Sequence, residues 1–186
     1  MIKQQKKREG WHLILVGILI SHIGWVFEKL LFLFLYNEIA DRGFVTLPLC
    51  PIYGITIVIL YKLIGTPHSG GILLSRLDTG GARAISYFFL AAIIPSVSEI
   101  IGGTVMEALS GEVLWSYEHY ALNVTKYAAL EIAYIWGAII TLVMCFFDKL
   151  CDLFSGIKDG IGKRLALSLS ALIAFDFFGN VILRLK

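Results

Sequence analysis

The chain has 186 residues, of which 58% are hydrophobic and 16% charged, with a net charge of +2 and a mean hydropathy of +0.79. A water-soluble domain of this size cannot hide that much apolar surface, so the composition places the chain in the membrane class. No basic stripe interleaved with aromatic residues is present, which excludes a nucleic-acid binder.

Five apolar blocks follow one another, each meeting or approaching the ~20 residues a spanning helix needs. The first, residues 11–36, contains only Glu28 and Lys29 as charges. It is longer than the ~7 to 15 residues of a signal-peptide core and reads as an uncleaved anchor. Gly17, Ser21, Gly24 and Glu28 share one of its faces, and a small-residue face is an interface face.

The second block, residues 44–64, is the least regular. Pro48 and Pro51 bias Leu47 and Cys50 away from helix, and Pro51 suits a first helical turn. A helix from Pro51 to Ile64 would be roughly 21 Å long, against a hydrocarbon core of ~30 Å. The stretch from Phe44 to Cys50 is therefore expected to enter the membrane as extended or turned chain. Irregular backbone at that depth is tolerated only inside protein or beside a water-filled cavity.

The connector from Gly65 to Arg83 is rich in Gly, Ser and Thr and reads as a cytoplasmic loop; it lacks the Gly-Lys-Ser/Thr ending of a phosphate loop. The third block, residues 84–109, carries Glu99 and Glu107. The outer loop from Ser110 to Asn123 holds Trp115, Tyr117 and Tyr120, which suit either a membrane interface or a lid. The fourth block, residues 124–147, contains Lys126 and Glu131, with a small-residue stripe at Ala129, Ala133 and Gly137. From Asp148 to Lys163 the apolar spacing predicts an amphipathic helix on the inner membrane surface. The fifth block, residues 165–183, contains only Asp176.

The fold class is thus all-α: a polytopic bundle of five transmembrane helices, residues 1–186 forming a single integral membrane domain. Its second helix has an irregular Pro-rich entry, and an inner-face amphipathic helix precedes the fifth. Lys3, Lys6, Lys7, Arg8, Lys62, Arg76, Arg83, Lys149, Lys158, Lys163 and Arg164 fall on one side; only Arg42, Lys126, Arg184 and Lys186 fall on the other. The excess marks the cytoplasmic side, so the N-terminus is expected inside and the C-terminus outside.

That orientation places Glu28, Glu99, Glu107, Glu131 and Asp176 roughly 3 to 15 Å below the outer boundary. An ionised acid in hydrocarbon costs at least ~2.5 kcal/mol, so these positions are functional-site candidates as well as candidates for interhelical polar contacts. If they cluster, a proton, a protein cation such as Lys29 or Arg42, or an amine-bearing ligand is the natural counter-charge. No paired-His spacing argues for a metal, and no cofactor motif is present. Cys50, at a helix start, reads first as a small apolar residue in a tight turn and second as a candidate nucleophile, with His22 or His119 as base. Cys145 reads as packing, and the three cysteines form no disulfide framework.

Several blocks carry a resemblance. Gly24-Trp25-Val26-Phe27-Glu28, Arg42-Gly43-Phe44, Pro48-Leu49-Cys50-Pro51-Ile52-Tyr53-Gly54, Glu107 followed by Trp115-Ser116-Tyr117, Asn123 and Trp136-Gly137 resemble the CmpB-like ABC-transporter permease family. The resemblance implies a bacterial multi-pass protein of the cell membrane and marks Glu28, Arg42, Cys50, Tyr53, Glu107 and Asn123. With the acids added, the expected substrate-binding set is Glu28, Arg42, Cys50, Tyr53, Glu99, Glu107, Asn123 and Glu131. They would line an outward-facing polar cavity for a cationic or amine-bearing solute. The expected partners are membrane lipids and a separate ATPase subunit or a second copy. The rival reading is a membrane-embedded enzyme acting on a lipid or lipid-linked substrate through Cys50 or a carboxylate.

Overall fold

A computed structural model of the protein describes residues 3–4, 8–37, 44–70, 73–74 and 80–184. The described chain is mostly helical. Its elements are β1 (Lys3–Gln4), α1 (Gly10–Tyr36), α2 (Pro51–Ile64), β2 (Gly65–Thr66), β3 (Ser69–Gly70), α3 (Gly80–Ser110), β4 (Asn123–Thr125), β5 (Ala128–Ala129), α4 (Leu130–Cys145), α5 (Phe147–Asp152) and α6 (Asp159–Arg184). Within α1, α3 and α6, the segments Gly10–Phe34, Gly81–Ser110 and Asp159–Arg184 are long and apolar enough to cross a membrane. The other two expected spans are shorter apolar helices, α2 and α4.

The small-residue face of α1 is where α2 crosses it. A Cβ added at Gly54 would collide with the Gly17 carbonyl and the Ser21 hydroxyl, and one added at Gly24 would strike the Tyr53 ring. Ser21 stitches the crossing: its carbonyl accepts from the Cys50 amide at 3.0 Å and its hydroxyl from the Gly54 amide at 3.2 Å. A second close pair joins α3 and α4, where a Cβ at Gly137 would meet the Ala92 Cβ at 3.0 Å and the Phe88 carbonyl at 3.1 Å. The expected stripe therefore works at Ala133 and Gly137, while Ala129 belongs to β5.

Between these pairs lies the main core, with Val16, Leu60, Ile64, Tyr87, Met144 and Phe147 fully buried. Pro95 interrupts the amide ladder within α3, one turn before Glu99. The hydroxyls of Ser96 and Ser98 beside it bond back to the Ala92 and Ile94 carbonyls.

The segment from Phe44 to Cys50 is a run of bends leading into Pro51, as expected. Its polar backbone is held by neighbouring helices. The Leu47 amide donates to Asp176 of α6 at 3.0 Å, and His22 Nδ1 of α1 donates to the Pro48 carbonyl at 2.7 Å. Phe44, Val45 and Leu49 pack with Met106 and Val181 in a second cluster.

Two expectations are corrected. The amphipathic helix over 148–163 is divided: α5 ends at Asp152, turns follow, and α6 starts at Asp159. Gly156 lies in those turns, where glycine's low helix propensity favours a break. Residues 124–129, expected to open the fourth spanning helix, are not helical but belong to a short antiparallel hairpin, β4–β5. Arg42 lies outside the described residues.

The N-terminal end of the bundle gathers the basic segments. β1 pairs in parallel with β3, which pairs antiparallel with β2. The buried guanidinium of Arg8 reaches Asp152 at 2.7 Å and Asp148 at 3.3 Å, on α5. Glu9 meets Lys163 at 3.1 Å and Trp11 Nε1 at 3.0 Å. The hydrogen bond from Lys163 holds the Glu9 carboxyl below its ordinary value.

Two predictions follow from this packing. Gly54→Val should lower Tm and folded yield, at a cost of about 1–3 kcal/mol or more from overpacking. Gly179→Ala, inside α6 where an added Cβ meets nothing, should raise Tm slightly through alanine's higher helix propensity. Thermal unfolding in detergent by tryptophan fluorescence checks both. A carboxyl whose folded pKa is depressed contributes stability above the unfolded value of 4.5, and that contribution is lost as pH falls through the folded value. The Tm difference between parent and Glu9→Gln should therefore be present at pH 6 and shrink below about pH 4.

Candidate functional site

Of the expected acids, the structure brings two together. Glu28, on the small-residue face of α1, accepts from the Tyr53 hydroxyl and, at 3.8 Å, from the Cys50 thiol. Both donors come from the start of α2. Pro51 sets that start, and Tyr53 passes over Gly24 to reach the carboxylate. Glu99, a turn beyond Pro95 on α3, accepts from the Tyr117 hydroxyl at 3.0 Å and from Trp136 Nε1 of α4 at 3.1 Å.

The two halves adjoin. The Tyr53 ring, whose hydroxyl bonds Glu28, lies 5.4 Å from the Trp136 ring, whose Nε1 bonds Glu99. Tyr117 arrives from the loop after α3, pinned by its amide on the Lys126 carbonyl at 2.7 Å. Burial, with Glu99 beside it, raises the Tyr117 hydroxyl above the ordinary phenol range, so it remains a donor. Among the described residues no Lys or Arg pairs with either carboxylate.

The remaining acids stand apart. Glu107 pairs with Lys126 at 2.6 Å and accepts from the Tyr127 hydroxyl at 2.6 Å, with Tyr127 lying over Gly103. Glu131, in the first turn of α4, accepts from the Leu122 amide at 2.9 Å, and its Oε2 is buried without a partner. Asp176 holds the Leu47 amide and accepts from Asn180 at 3.1 Å. Asn123 opens β4, its backbone opposite Ala129. Of the two bases considered for Cys50, His22 is committed to the Pro48 carbonyl, while His119 packs against Tyr120. The group lying on the thiol is Glu28.

Sequence reasoning did not assign Tyr117 and Trp136 to Glu99. The signal was an indole in the middle of block four and a phenol in the loop between blocks three and four, where a buried N–H or O–H seeks an acceptor.

A family model described as "Putative ABC-transporter type IV" matches residues 15–181. The chain belongs to this family. The matched region contains both carboxylates of the site and all of their donors. Family membership and the apolar helices together fit a membrane transport protein. No curated protein and no solved structure matches the chain.

Tyr117→Phe should cost about 1.5–3 kcal/mol, the range for a hydrogen bond to a charged group. In a double-mutant cycle, Tyr117→Phe and Glu99→Gln should couple by about 0.5–3 kcal/mol. Strict additivity in reversible unfolding would mean the bond is not made.

Proposed function

We propose that the protein is the membrane subunit of a transporter and binds a cationic or amine-bearing solute between Glu28 and Glu99. The observation that carries this reading is two carboxylates, each on a helix long and apolar enough to cross a membrane, whose donors are phenol, thiol and indole groups, with no basic partner among the described residues. Two such acids in a low-dielectric layer call for an added positive charge. The Tyr53 and Trp136 rings provide faces suited to a cation.

In this reading the chain crosses the membrane five times. α2 and α4 complete their crossings with the bent segment 44–50 and the hairpin 123–129. The basic end, with the N-terminus, faces the cytoplasm, and the site opens outward. Tyr117 and the loop that carries it lie between the site and the outer solution. The donors orient the carboxylate oxygens, and the solute's charge replaces the missing counter-ion. ATP-driven transport requires a separate ATPase subunit, because the sequence has no phosphate loop.

The test is fluorescence titration of purified protein in nanodiscs at constant ionic strength, with Trp136 as reporter. Tetramethylammonium, ethanolamine and spermidine are the probes, and potassium is the control. At least one amine should give a saturable change that Glu28→Gln and Glu99→Gln abolish and Glu107→Gln retains. No saturable response to any amine, or an unchanged response in Glu99→Gln, overturns the reading.

A further inference from the structure

The loop between α3 and the β4–β5 hairpin is anchored at both ends and fastened to the site in its middle. Gly111, just past α3, donates its amide to the Glu107 carbonyl at 2.8 Å. Its φ of 69° is a left-handed conformation that favours glycine. A Cβ added there meets nothing within 4 Å, so the chain has open space in which to turn at this point. At the far end the Leu122 amide donates to Glu131 at 2.9 Å, and the Leu122 carbonyl accepts from the Leu130 amide at 3.0 Å.

Between these anchors run residues 112–121. Glu118 and His119 are exposed, while Trp115 and Tyr117 are half-buried. The bonds of Tyr120 to the Tyr117 carbonyl and of the Glu118 amide to the Ser116 hydroxyl are local. The fastenings to the rest of the protein are few and specific. Trp115 lies edge-on to Tyr127, with ring centroids 5.9 Å apart. A Cβ added at Gly102 of α3 would sit 3.7 Å from Trp115 and 3.2 Å from Ile52, so Trp115 rests where α3 meets the start of α2. Tyr117 reaches Glu99 through its hydroxyl and the Lys126 carbonyl through its amide. The Lys126 side chain is itself fastened to α3 through Glu107, which makes the hairpin the fixed support. Trp115 thus stands by the helix start that supplies Cys50 and Tyr53 to Glu28, and Tyr117 stands on Glu99.

We propose that residues 112–121 are a lid over the Glu28 and Glu99 site, hinged at Gly111 and latched by the bond of Tyr117 to Glu99. Lids of this kind swing on a few residues at element ends and are held by few bonds. The latch and an entering positive charge seek the same carboxylate, so entry to Glu99 competes with the Tyr117 hydroxyl. What enters rests on the transport reading; the lid rests on the loop itself.

The experiment measures access to Cys50, which is 8% exposed and lies on Glu28. The full-length chain in nanodiscs, open to solution at both membrane faces, is treated with 2-(trimethylammonium)ethyl methanethiosulfonate, a small water-soluble thiol reagent. Labelling is followed cysteine by cysteine with peptide mass spectrometry. Cys151, fully buried in the main core, is the internal reference, because global unfolding labels both and lid opening labels Cys50 alone. Tyr117→Phe should speed Cys50 labelling relative to Cys151 by about tenfold or more, the factor expected for loss of a hydrogen bond to a charged group. Trp115→Ala should also speed it, which keeps the test decisive if Tyr117→Phe does not fold. A Cys50 rate that stays at the parent's value relative to Cys151 in both variants overturns the lid. Accelerated labelling beside a failed amine titration upholds the lid and sinks the transport reading, so the two fail separately.

Discussion

Backbone amides and carbonyls have no water to turn to at membrane depth, and this constraint organises the rest of the molecule. Two of its apolar helices, α2 and α4, are about 21 and 24 Å long, less than a hydrocarbon core. The chain leading into each carries backbone groups that need partners. Before α2 they are Ser21 and His22 of α1 and Asp176 of α6. Before α4 they are the hairpin's own pairing and Glu131, which takes the Leu122 amide. Asp176 and Glu131 are thereby explained as acceptors for the Leu47 and Leu122 amides.

Charge pairing at the two ends follows a similar logic. At the N-terminal end Arg8 gathers Asp148 and Asp152, and Lys163 gathers Glu9. At the other end Lys126 holds Glu107 and Arg184 holds Glu112 at 2.8 Å. Apart from those of the buried Arg8, these pairs are partly exposed near helix ends, where solvent keeps them weak. Between the ends, Glu28 and Glu99 are matched with neutral donors instead. Hydroxyl, thiol and indole groups satisfy oxygen lone pairs without cancelling charge, which separates structural satisfaction from electrostatic neutrality.

Much of the frame was legible in the sequence because its signals are steric and local. Pro51 fixes φ at a helix start, and the small face of Gly17, Ser21 and Gly24 marks where backbones can approach. The five apolar blocks found their helices for the same reason. That acids sit within the apolar helices was legible, but not their partners. Partner choice depends on which side chains from distant segments meet, as Trp136 and Tyr117 do at Glu99. The inner-surface helix was misread because apolar spacing continues across 148–163 while Gly156 lets the backbone turn. Lys126, counted as a charge within a span, lies in the hairpin ahead of α4, where it can reach Glu107.

The helices pair as α1 with α2 through Gly17 and Gly54, and as α3 with α4 through Ala92 and Gly137. Glu28 and its donors Tyr53 and Cys50 belong wholly to the first pair and its entry segment. Glu99 and its indole donor belong to the second. Each carboxylate is thus bonded within its own pair, and the seam between pairs is crossed near the site by the ring contact of Tyr53 with Trp136. Such contacts tolerate offset and tilt. Sliding one pair along the other would change the separation of the two acids while leaving the bonds of Glu28 to Tyr53 and of Glu99 to Trp136 intact. The gap between the carboxylates is set by the register of the two helix pairs, so the distance between two like charges is tied to helix displacement by geometry alone.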